Sequence, residues 1–140
     1  CFSKSEMESI SPELRELFKQ EMLAIQSGMQ KMVVALASGD FEELAHIAGN
    51  IKHSFILKQE MTDIQKHELH EKLPAGFLEK DQQFHKYAGM LQHVSEKQHT
   101  ELVSFYYSKL LDSCVSCHSL YADHRFSNFK KAPINKAHQH

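Results

Sequence analysis

The sequence predicts an all-α fold, an antiparallel four-helix bundle, on three observations. Apolar residues recur at three- and four-residue steps in four separate stretches. No segment sustains the period-two alternation of a half-buried strand, and no internal repeat is present. Only five glycines and three prolines punctuate 140 residues, which favours a few long helices over many short strands.

The first helix opens at Ser11-Pro12-Glu13: a capping hydroxyl, a proline where no N–H is needed, and an acid beside the positive end of the dipole. Leu14, Leu17, Phe18, Met22, Ile25, Met29, Met32, Val33 and Leu36 then form one apolar stripe, about seven turns long. Ser38-Gly39 closes it. Asp40 caps a second helix, with Glu43 placed to complete a capping box, and Leu44, Ile47, Ala48, Ile51, Phe55 and Ile56 give it a buried face as far as about Glu60. From Met61 to Pro74 the chain is polar and reads as a crossover over one edge of the bundle. Thr62 and Gln65 are set to cap a short helix there, before Leu73-Pro74-Ala75-Gly76 breaks it.

Phe77, Phe84, Ala88, Leu91 and Val94 mark the third helix. No Gly or Pro signals its end, but one helix continuing to Tyr121 could not bury both ends in a compact domain. Thr100-Glu101 is the expected restart. The fourth helix carries Leu102, Val103, Phe105, Tyr106, Leu110, Cys114, Cys117 and Tyr121. The bundle thus spans 11–126, after a tether over 1–10 and before a loose basic tail over 127–140.

Composition narrows the class. Apolar residues are 41% and charged residues 24%, which suits a globular domain with a core. The formal net charge of −2 argues against nucleic acid as a partner. No run of about 18 apolar residues is present to span a membrane.

The most specific feature lies in the fourth helix. Cys114-Val115-Ser116-Cys117-His118 reads C-x-x-C-H, the attachment sequence of a c-type haem. Two thiols three positions apart reach two vinyl groups on one porphyrin edge, and the following imidazole ligates the iron from the proximal side. On a helix all three fall within about one turn. A zinc half-site, a redox dithiol and a chance pair are the alternatives. Zinc needs further soft ligands at matching spacing, and the remaining cysteine is Cys1. A redox pair belongs between a strand and a helix, and nothing reads as βαβ. One covalently bound haem c per chain is the expected cofactor.

Haem is attached to such motifs outside the bacterial cytoplasm, so an exported protein is expected. The sequence contains no signal peptide, and a mature, processed chain is expected. Its first residue, Cys1, is a candidate lipid anchor tethering a periplasmic protein to a membrane, with a chance boundary as the alternative.

Long helices with C-x-x-C-H late in the last resemble the cytochrome c′ family. The resemblance rests on Gly39, the Phe41 to Ala48 stretch, the Leu73-Pro74 to Phe77 entry, and above all Cys114 to Tyr121, which reads C-x-x-C-H-x-x-Y. It covers about Ser11 to Phe126 and implies a four-helix bundle holding one haem, with His118 as proximal ligand. It further implies a periplasmic protein that transfers single electrons or binds diatomic gases such as nitric oxide and carbon monoxide, and, by analogy, a homodimer. The chain departs from the family after the tyrosine: a basic residue is frequent there, whereas Ala122 stands here and Arg125 follows three positions later.

In that family the residue on the other face of the iron comes from the first helix, about four turns before its end. Counting back from Gly39 reaches Met22 or Leu23. A Met22 thioether would close the iron for electron transfer, while Leu23 would leave it open to gas. Core filling is the bland reading for Met22, as for Met29, Met32 and Met61. Tyr121 is placed to pack at the haem edge or bond a propionate; a rim aromatic is the alternative. Arg125, Lys130 and Lys131 would balance propionates or dock an acidic redox partner, or simply be solvated. Most of the eleven histidines read as surface, His53 included; His67 and His70 have a metal-binding spacing but no third ligand, and His85 has no assigned role. No acid–base pair or nucleophile suggests an enzyme.

Overall fold

A computed structural model describes residues 5–131, with side chains over 7–130. Cys1, His138 and His140 lie outside the described residues. Those described form helices and no strand: α1 (Ser5–Glu8), α2 (Pro12–Ser38), α3 (Phe41–Lys52), α4 (Leu57–Glu60), α5 (Asp63–Lys72), α6 (Ala75–Glu96), α7 (Thr100–Tyr121) and α8 (Asn128–Lys131). α6 packs against both α3 and α7, and α2 packs against α3 and α4.

Local chemistry sets most of the helix ends. Ser11 Oγ accepts from the Leu14 N–H at 3.3 Å, and Pro12 occupies the first turn. Gly39 ends α2 at φ 71°, a left-handed conformation that costs glycine little. The Asp40 carboxylate accepts from the Glu43 N–H at 3.1 Å to open α3. Thr62 and Gln65 complete a reciprocal capping box at α5, with bonds of 2.9 and 3.2 Å. Between α6 and α7 the turn is made by Gln98, at φ 55°, and the helix restarts at Thr100.

The second long helix departs from expectation. It stops at Lys52 instead of running to Glu60, and Ser54 takes a left-handed φ of 62°. The cause lies on α2. Glu21 is 2% exposed, and its carboxylate accepts the N–H groups of Phe55 (3.1 Å), Ile56 (2.7 Å) and Leu57 (3.0 Å). Those donors open α4, where Ile56 has no side-chain oxygen with which to cap. A distant carboxylate caps the helix in its place.

That choice also corrects the expected stripe on α2. Met22 (42% exposed) and Val33 (51%) face outward, while Glu21 and Gly28 are buried. Gly28 lets α3 and Phe55 approach: an added Cβ would sit 3.1 Å from Ile47 and 3.2 Å from the Phe55 ring.

The core falls into two clusters. One gathers Ile25, Met32, Leu44, Ile51, Leu91 and Leu110 with their neighbours on α2, α3, α6 and α7. The other joins Ile10, Leu14 and Phe18 to Leu57, Leu69 and Leu73, so the crossover covers one end of the molecule. Ser11 Oγ donates to the Glu68 carboxylate at 3.0 Å and ties α5 to the start of α2. Of the tether expected over 1–10, Ile10 is 2% exposed and Met7 packs on this cluster, so these two residues belong to the core. The expected loose tail begins with a helical turn, α8.

Glu21→Ala should destabilise the protein by about 3 kcal/mol, because it strands three N–H groups away from water. Glu21→Gln, which keeps an acceptor, should cost less. Urea unfolding of the three proteins measures both.

Candidate functional site

Cys114, Cys117 and His118 lie in the last two turns of α7. The helix buries Val103 and Leu110 fully, whereas from Leu111 onward every side chain is half-buried or exposed. Both thiols are half-buried and unpaired. Cys117 is close to Asp81 and Lys80 of α6, and Lys80 Nζ donates to Ser116 Oγ at 2.8 Å.

Burial dominates the electrostatics. It pushes the Cys117 thiol from its ordinary 9.0 to about 11; the Asp81 carboxylate adds to that and Lys80 opposes it. Cys114 is raised by burial as well. Burial, and then Arg125, lower His118 below the usual imidazole range. Two neutral thiols beside a neutral imidazole are the outcome at neutral pH. A reactive dithiol needs the opposite shift. Among the described residues no three His, Cys, Asp or Glu side chains converge to hold a bare ion.

Around this motif the other predicted residues take different places. The Tyr121 ring meets Phe77 edge-on at 5.4 Å, and Phe77 meets Phe18 at 6.0 Å, so Tyr121 is joined to α6 and through it to α2. The Tyr121 hydroxyl lies so close to Gly76 that an added Cβ there would come within 2.8 Å of it. Arg125 is exposed but near enough to act on His118, and Lys130 pairs with Asp123 at 3.6 Å. The Lys131 side chain lies beyond those described. Met22 and Leu23 (56% exposed) both sit outside the core, so burial does not choose between them. His53 and His70 are exposed, and His67 is exposed beside Glu71 at 3.8 Å.

Two residues of the site region carried no function in the sequence reading. His85 is 8% exposed; its Nδ1 stands 2.7 Å from the Ile51 carbonyl. A carbonyl only accepts, so Nδ1 carries the hydrogen. Its Nε2 lies 3.4 Å from Asp81 Oδ1, and Asp81 in turn acts on Cys117. Glu21, Ser54 to Leu57, His85 and Asp81 thus form a polar layer linking α2, the end of α3, α6 and α7. The available signal was helical spacing: Glu21 stands three residues after Phe18 and four before Ile25, and His85 three before Ala88.

The donor set suits a porphyrin. Two thiols and an imidazole occupy one turn, and Leu111 (46% exposed) and Val115 (55%) offer apolar surface beside them. No described helix is long and apolar enough to cross a membrane. No protein-family model matches the chain, and neither a curated protein nor a solved structure matches it significantly.

The Cys117 shift predicts an alkaline loss of stability for the chain without thioether bonds. The folded thiol holds its proton to a higher pH than the unfolded one. Its contribution is therefore complete below pH 9.0 and falls away as pH rises towards about 11. Urea midpoints across that window should drop less steeply in Cys117→Ala than in the wild type.

Proposed function

We propose that the chain carries one c-type haem, joined to Cys114 and Cys117 and ligated by His118, and that it transfers single electrons in the exported compartment. The observation that carries this reading is C-x-x-C-H on the final turns of α7, with both thiols unpaired and half-buried. Each S–H would add across a vinyl C=C, the sulfur bonding one carbon and the hydrogen the other, with no oxidant required. When bound, the haem supplies the one-electron exchange of its iron.

The register of α2 against α7 supports an antiparallel four-helix bundle of the cytochrome c′ kind. Tyr107 Oη donates to the Met29 carbonyl at 3.1 Å. Seven residues, or two turns, back along α2 stands Met22; seven residues forward along α7 stands Cys114. Further on, Phe18 reaches Tyr121 through Phe77. Two helices related in this way would run in opposite directions, with Met22 level with the attachment motif. Leu23, one residue on, turns about 100° away. Met22 is thus the better candidate for the second axial position, and exposed Met22, Leu111 and Val115 would cover porphyrin surface.

Binding of a diatomic gas is the second reading. The exposure of Met22 favours it, because a side chain 42% open to solvent is not fixed in the core.

Protein matured in a cytochrome-competent periplasm should show an intact mass larger by one haem; the bare polypeptide mass would refute the proposal. A six-coordinate, low-spin spectrum indifferent to carbon monoxide supports electron transfer, and a ferrous spectrum that shifts with the gas supports the second reading. Met22→Ala should turn low-spin iron high-spin, and an unchanged spectrum would remove Met22 as ligand.

A further inference from the structure

The chain beyond α7 folds back at once. The Ala122 carbonyl accepts the N–H groups of Arg125 (2.9 Å) and Phe126 (3.1 Å). The Phe126 and Ser127 carbonyls accept from Phe129 (3.0 Å) and Lys130 (3.1 Å), and the Lys130–Asp123 pair at 3.6 Å closes the loop. This turn lays the Phe126 ring flat on the His118 imidazole, with centroids 4.3 Å apart and planes within 18°. The neighbouring Phe18–Phe77 and Phe77–Tyr121 contacts are edge-on, at 64° and 79°.

Ring-on-ring contact has a mechanical consequence. A face-stacked imidazole cannot turn about its Cβ–Cγ bond without lifting the phenyl ring away. The stack covers a ring face and leaves the ring edge, where the nitrogen lone pairs lie, outside it.

We propose that Phe126 is the positioning residue for the His118 imidazole, fixing the plane in which it meets a haem iron. The inference rests on the haem reading above and adds to it a residue outside the motif. Groups behind a metal ligand commonly fix its orientation by hydrogen bonds; here an aromatic face does so. The turn at Ala122 is what delivers that face. The plane of an axial imidazole sets its overlap with the iron orbitals, so it is read directly in the electron paramagnetic resonance of the ferric form.

The test uses the full chain with haem attached, at equal haem content by intact mass. Phe126→Ala should shift the ferric g values and broaden the lines, because the imidazole plane is no longer held. Phe126→Tyr, which keeps a ring, should retain the wild-type spectrum. A Phe126→Ala spectrum that superimposes on wild type overturns the proposal. Should Phe126→Ala fail to fold, the wild type decides. In its diamagnetic ferrous form, bound to carbon monoxide if necessary, nuclear Overhauser contacts between the Phe126 and His118 rings support the stack, and their absence overturns it. A chain without haem overturns this inference together with the reading beneath it. A haem-bearing chain lacking the stack overturns this inference alone.

Discussion

The Glu21 carboxylate holds together parts of the chain that no local rule would join. By accepting three consecutive N–H groups it ends one helix, opens another and sends the chain into the crossover. A buried carboxylate is costly unless its oxygens are bonded, and three charge-assisted bonds offset that cost. The geometry fixes more than a loop. With Glu21 turned inward, Met22 stands outside the core.

The same layer separates the two apolar clusters. One cluster reaches Ile25 and Leu110, the other starts again at Phe18, and between them α2 offers Glu21 while α6 offers Asp81 and His85. α7 crosses this level with Cys114, Cys117 and His118. Its final turns are covered only in part, by Phe77 against Tyr121 and Phe126 against His118. Burial raises both thiols, and the Asp81 charge adds to the shift at Cys117.

Much of the frame was legible in the residues. Ser11, Gly39, Asp40 and Thr62 each carry a local signal, because capping depends on atoms within three or four residues. The restart at Thr100 followed from compactness alone. The turns at Ser54 and Gln98 left no glycine to announce them; at Gln98 the end of α6 is closed by its own backbone, with the His99 N–H donating to the Val94 carbonyl at 3.0 Å. Glu21 and His85 occupied core positions of the helical period. They were passed over because polar residues there are buried only when partners from other elements meet them.

By itself the sequence determined the helical class, most helix ends and the C-x-x-C-H spacing, all of which depend on neighbours a few residues apart. Tertiary structure alone decided where α3 stops, which face of α2 is buried, that His85 bridges α6 to α3, and that Phe126 lies on His118. Each of these joins residues distant in sequence or through a turn, and contacts of that kind leave no period in the chain.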